Sequence, residues 1–106
     1  MDIEFATQML ADLYAGKVEN YNEFRSNPTL VKQYIKAITM LRAALRIEQL
    51  FQFNGLRYKK LSGDLKGYSS VRINKQYRIL FTEVVSETDA PQINLIRLEE
   101  INKHYE

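Results

Sequence analysis

The chain has 106 residues, is 45% hydrophobic and 26% charged, carries a formal net charge of +2 and contains no cysteine. That length suits one domain, residues 1–106, around one core, and the missing cysteine excludes a disulfide frame and thiol chemistry. No apolar run approaches the ~18 residues of a membrane helix, and Met1-Asp2-Ile3-Glu4 lacks the basic and apolar regions of a secretory leader, so a cytoplasmic chain without a membrane partner is expected.

Along the chain, residues 2–6 alternate polar and apolar and predict a short strand. Residues 7–15 place Met9, Leu10, Leu13 and Tyr14 at helical spacing before Gly16, a stop. Residues 17–25 are polar and acidic, in part compatible with helix. Ser26-Asn27-Pro28 then offers a cap followed by proline at the first helical position. The apolar stripe Val31, Tyr34, Ile35, Ile38, Leu41 and Leu45 predicts a helix over about residues 28–52, with Asn54-Gly55 as its left-handed end. Lys32, Lys36, Arg42 and Arg46 fall on an arc beside that stripe.

After Gly55 the period shortens towards two. Residues 56–61 predict a strand bearing Arg57, Lys59 and Lys60, and Ser62-Gly63-Asp64 and Lys66-Gly67 are turn chemistry. Residues 68–73 and 77–85 predict two strands joined at Asn74-Lys75-Gln76, then a loop over 86–91 and a last strand over 92–98 ending in an acidic tail. Helices and strands are segregated. The expected fold class is α+β, two N-terminal helices packed on a twisted antiparallel sheet of four to five strands.

The charge is divided as sharply as the elements. Residues 1–27 hold 2 basic and 5 acidic side chains (−3), residues 28–80 hold 11 and 2 (+9), and residues 81–106 hold 2 and 6 (−4). So basic a middle segment fits a phosphate backbone or an acidic partner; its plainer reading is a solvated helix face and strand edge. With one histidine and no cysteine, no clustered His/Cys metal site can form, and no metal or small-molecule cofactor is expected. Glycine-rich phosphate loops are also missing. An enzyme built from these residues works with cations, tyrosines and that histidine.

Metal-free RNA cleavage suits such a set. The ribose 2′-OH attacks the adjacent phosphorus, and the reaction needs a base, an acid for the leaving oxygen, and cations for the charged phosphorane. Tyr58, Tyr68, Tyr77 and Tyr105 offer faces for unstacked bases.

Residues 61–81 carry a specific pattern through Leu61, Gly63, Asp64, Gly67, Ser70, Arg72, Ile73, Asn74, Tyr77, Arg78, Ile79 and Phe81. It resembles the loop and central hairpin of the RelE/ParE toxin superfamily, and its HigB-like branch in particular. The match covers a fifth of the chain directly, and the order of elements extends it over nearly all. The resemblance implies a type II toxin that cleaves mRNA on the ribosome, neutralised by a HigA-like helix-turn-helix antitoxin. It implies Arg72 and Arg78 as clamps for the scissile phosphate, His104 for proton transfer and Tyr105 as its neighbour. It also sets Lys60 where the family has a basic residue facing phosphate. Lys59, Lys66 and Tyr68 are further candidates for RNA contact, and the arc of Lys32, Lys36, Arg42 and Arg46 reads first as a solvated face and second as a ribosomal RNA contact. The His104-Tyr105 order departs from the Asp-Tyr-His of many relatives. On plainer readings Arg78 pairs with Glu83 or Glu99, Arg72 is an exposed strand arginine, and His104 is a solvated terminal residue. Two rival functions share the fold: a non-enzymatic ParE-type gyrase poison, and a silent member that only binds its antitoxin.

Overall fold

The computed structural model describes residues 1–85 and 93–103. In order these form β1 (Asp2–Phe5), α1 (Gln8–Tyr14), the single turn α2 (Asn22–Arg25), α3 (Pro28–Ala43), β2 (Lys59–Lys60), β3 (Ser69–Arg72), β4 (Tyr77–Val85) and β5 (Ile93–Lys103). The class is α+β, as expected. The strands make one sheet in the order β1-β5-β4-β3-β2. The expected sheet was antiparallel throughout; β1 instead runs parallel to β5, with Asp2 opposite Leu95 and Phe5 opposite Leu98, so the sheet is mixed. A hairpin turn imposes antiparallel pairing, but β1 meets β5 only after the whole helical layer has intervened, and no turn constrains its direction.

The helix starts follow their local chemistry. Thr7 Oγ1 accepts the Leu10 N–H at 3.3 Å and Asn27 Oδ1 accepts the Leu30 N–H at 3.3 Å, with Pro28 heading α3. Leu10 and Leu13 of α1, with Leu30, Val31, Tyr34, Ala37, Ile38 and Leu41 of α3, pack on one face of the sheet. That face presents Val71, Tyr77, Ile79, Phe81, Ile96 and Leu98. The buried Tyr34 hydroxyl donates to the Leu10 carbonyl at 2.7 Å and joins the two helices.

The long helix is shorter than its stripe predicts. It ends at Ala43, Ala44 is extended, and Ile47–Gln52 and Asn54–Leu56 are 3₁₀ turns. The buried residues here are Leu41, Ala44, Ile47 and Leu50, spaced by three, while Leu45 is 80% exposed. Spacing by three suits 3₁₀ turns, in which i and i+3 eclipse. The Gln49 carboxamide accepts the Arg46 N–H at 3.4 Å and also that of Leu45, and the Met1 ammonium donates to the Arg42 carbonyl at 2.9 Å. Gly55 is not the left-handed residue expected; Arg57 is, at φ 45°. Only Lys59–Lys60 of the predicted strand over 56–61 pairs with the sheet. The last strand is longer than expected and carries Glu99 and Glu100 inside it rather than in a tail.

The β3–β4 hairpin is fastened to the helical layer at its turn. Asn74 Oδ1 accepts the Gln76 and Tyr77 N–H groups, both at 2.9 Å, and its Nδ2 donates to Gln33 Oε1 on α3 at 3.0 Å. The Tyr77 hydroxyl donates to Glu23 Oε1 on α2 at 2.9 Å.

The early end of α3 has a measurable consequence. Leu41→Ala should lower the unfolding free energy by about 2–5 kcal/mol, whereas Leu45→Ala should change it by no more than about 0.5 kcal/mol. Urea denaturation of both variants checks this; equal losses would mean that the helix continues through Leu45.

Candidate nucleic-acid interface

Side chains alternate along β4. Tyr77, Ile79 and Phe81 face the helices, so Arg78 and Leu80 lie on the opposite face. The register sets Arg78 directly opposite Arg72 on one side and Asn102 on the other. Arg78 Nε is buried and has no hydrogen-bond partner among the described residues. Among the described residues neither acid proposed to pair with it does so. Glu83 is engaged by the Tyr58 hydroxyl, Ser69 Oγ at 2.8 Å and Lys60 Nζ at 4.0 Å. Glu99 accepts from Thr82 Oγ1 at 3.2 Å and lies 3.6 Å from Arg97 Nε. Arg72 is held differently: its Nε donates to the Asn74 carbonyl at 3.0 Å, inside the hairpin turn.

The cations of α3 do not form one arc. Lys36, with Gln33, Ala37 and Met40, lines a cavity of about 260 Å³ that Arg72 also lines, and Lys32 is exposed one turn earlier. Arg42 lies six residues beyond Lys36, so the two point roughly 120° apart around the helix. There its guanidinium stacks 5.9 Å from the Tyr14 ring and donates to the Tyr14 hydroxyl at 3.3 Å. That contact lowers the Tyr14 pKa. Arg46 lies beyond the helix, exposed at the start of the first 3₁₀ turn.

The loop between β2 and β3 carries the remaining candidates. Gly63 and Gly67 adopt φ +67° and +99°, conformations that a side chain would strain. Between them the loop folds over the sheet face that bears Arg78. Lys59 is exposed on β2, paired with Ser70. Lys60, 73% exposed, and Lys66 line a cavity of about 430 Å³ with Tyr68, Ser69 and Glu83. Tyr68 is half-buried, and among the described residues its ring, unlike those of Tyr58 and Tyr77, is neither buried in the core nor stacked on another aromatic ring. The Tyr77 ring is buried against the helices, and the Tyr58 ring sits between Phe51 and Phe81, at 5.1 and 6.1 Å.

Glu83 is a residue that pattern reading undervalued. Its side chain is 10% exposed, and it gathers Tyr58, Ser69 and Lys60 at the sheet edge. Burial, and then the bond to Glu83, raises the Tyr58 pKa. The phenol therefore stays protonated as a donor and is unsuited to accept a proton. Asn102 stands opposite Arg78, and no local signal marks it, because its position follows from strand register alone. His104 and Tyr105 lie outside the described residues.

A family model for the RelE-like toxin HigB of type II toxin–antitoxin systems matches residues 3–99. Toxin HigB-1 of Vibrio cholerae serotype O1 is 33% identical over 82 residues, 76% of this chain and 82% of that one. The fold is similar to that of a YoeB/ParE toxin from Agrobacterium tumefaciens, with a TM-score of 0.53, 18% identity, and 99% and 100% of the two chains covered. It is also similar to the toxin in a YoeB-YefM complex from Staphylococcus aureus, with a TM-score of 0.51, 25% identity, and 99% and 98% covered. The chain belongs to the HigB-like family, RelE-like toxins of type II toxin–antitoxin systems.

Proposed function

We propose that the chain is a ribosome-dependent endoribonuclease that cuts mRNA and halts translation in the cytoplasm, held in check by a HigA-like helix-turn-helix antitoxin. The observation that carries this reading is Arg78: a buried guanidinium nitrogen without a partner, opposite a second arginine. Like charges placed opposite each other in a sheet are destabilising, and an unsatisfied buried donor costs about 1–3 kcal/mol. A scissile phosphate satisfies both arginines at once.

In the reaction the 2′-oxygen bonds to phosphorus and the P–O5′ bond breaks, leaving a 2′,3′-cyclic phosphate and a free 5′-OH. The proton of the 2′-OH passes to a base, and the departing 5′-oxygen takes one from an acid. His104 and Tyr105 are the proton-transfer candidates. Arg78 and Arg72 stabilise the phosphorane, whose extra negative charge develops only on the way to the transition state. Lys60 and Lys66 hold the RNA strand, Tyr68 receives a base, and Lys32 and Lys36 meet ribosomal RNA, so affinity falls with salt. A gyrase poison or a silent antitoxin-binding member has no use for an unpaired arginine held in this way.

Arg78→Ala should lower cleavage of ribosome-bound mRNA about 10²–10³-fold, and His104→Ala about 10²–10⁴-fold, each relieving growth arrest on induction. Full toxicity of both variants, or trapped gyrase with intact mRNA, would sink the reading. Stability should move the other way. Arg78→Met keeps the aliphatic stem and removes the unpaired charge, so its melting temperature should equal or exceed that of the parent. A clear fall in melting temperature would make Arg78 a structural residue.

A further inference from the structure

Leu80 is 2% exposed yet stands outside the helix-facing core; it is buried on the other face of the sheet, under the loop that holds Leu65 and Tyr68. Leu65, Tyr68, Leu80, Glu99 and Glu100 line a cavity of about 310 Å³, within the size range of small-ligand sites. Its composition is unusual for a chain so basic in the middle: an aliphatic floor, one aromatic wall and two carboxylates. The bulge in the β4–β5 ladder produces it. Leu80 pairs with Glu100 but Phe81 pairs with Leu98, so Glu99 is the extra residue and both glutamates line one cavity.

Each glutamate has one oxygen engaged. Glu99 Oε1 takes Thr82 Oγ1 and Arg97 Nε, and Glu100 Oε1 takes Asn102 Nδ2 at 3.0 Å. Among the described residues the Oε2 atom of each accepts no hydrogen bond, and the Tyr68 hydroxyl enters none, while the half-buried Tyr68 ring lines the cavity beside Leu65 and Leu80. One strand step of two residues, about 7 Å, separates this cavity from Arg78. A ribose spans about that distance between its phosphate and its base.

Resting on the nuclease reading, we infer that this cavity receives the nucleobase next to the phosphate held by Arg78 and selects guanine. The base stacks on Tyr68 over Leu65 and Leu80, as unstacked bases do in single-stranded RNA recognition. Selection follows from the Watson–Crick edge. Guanine presents two adjacent donors, N1–H and the N2 amino group, to which carboxylate oxygens are complementary. Adenine and cytosine set a ring-nitrogen acceptor beside their amino donor, and uracil flanks its single donor with two carbonyls. Each of these aims a lone pair at a carboxylate, an unpaired and repulsive contact. The carboxylates also repel the phosphate backbone, which fixes the strand's direction: phosphate at the arginines, base at the glutamates.

The test is a protein-observed NMR titration of the purified chain with GMP, AMP, CMP and UMP. GMP should shift the amides of Leu65, Tyr68, Leu80, Glu99 and Glu100 and bind about ten-fold or more tightly than the other three. Glu99→Gln and Glu100→Gln should each reduce that preference, while shifts at Arg78 from the phosphate persist. Equal shifts from all four nucleotides, or none at these amides, overturn the inference. So does a response to acetyl-arginine amide in place of GMP, which would make the cavity a seat for a basic protein segment. Cleavage of ribosome-bound mRNA is scored separately. Cutting without guanine preference in the titration defeats this inference alone, whereas a guanine-selective cavity in a chain that cuts no mRNA defeats the nuclease reading and leaves the base site standing.

Discussion

Everything functional in this molecule depends on the pleat of β4. Burying Tyr77, Ile79 and Phe81 against α1 and α3 is the large apolar term that joins sheet to helices. Because strand side chains alternate, that burial sends Arg78 and Leu80 to the far face with no further freedom. A slip of one residue would bring the arginine into the core and expose the aromatics. The position of a cation on the open face is therefore enforced by the stability of the core. The turn contacts from Asn74 to Gln33 and from Tyr77 to Glu23 hold the same hairpin at its other end.

The distribution of charge partners supports the same division of labour. Four acids of the flanking segments accept from hydroxyls: Asp12 from Tyr21, Glu23 from Tyr77, Glu83 from Tyr58 and Ser69, and Glu99 from Thr82. Hydrogen bonds from Gln8 and then Tyr21 lower the Asp12 pKa, and the bond to Asp12 raises that of Tyr21, so this pair persists through neutral pH. Asp12 and Glu23 are engaged in this way without an ion pair among the described residues, whereas Glu83 and Glu99 also take Lys60 and Arg97. Arg72, Arg78, Lys36 and Lys66 enter no ion pair among the described residues and stay available to a polyanion. The buried, unpartnered Arg78 nitrogen fits the general exchange of stability for function at binding sites.

Where local patterns and structure diverge, the cause is tertiary. The stripe ending in Leu45 reads as helix, but the residues that reach the core are Ala44, Ile47 and Leu50, and the backbone changes to 3₁₀ geometry to bury them. The expected stop at Gly55 moves to Arg57, since positive φ is required where the chain turns into β2 and not where glycine happens to stand. The long β5 draws in acids that read as tail, because pairing with β4 continues through Lys103.

By itself the sequence determined the α+β order, the capped start of the long helix at Asn27-Pro28, the central hairpin and the family, all of which rest on local chemistry or on the contiguous pattern from Leu61 to Phe81. It also marked Arg72 and Arg78 as paired cations. Only the tertiary structure decided that Arg78 Nε lacks a partner among the described residues, that Asn102 stands opposite Arg78, that Glu83 organises Tyr58 and Lys60, and that a bulge brings Glu99 and Glu100 into one cavity with Tyr68. Those facts depend on register between strands far apart in the chain, and register is set by which faces the whole core can bury.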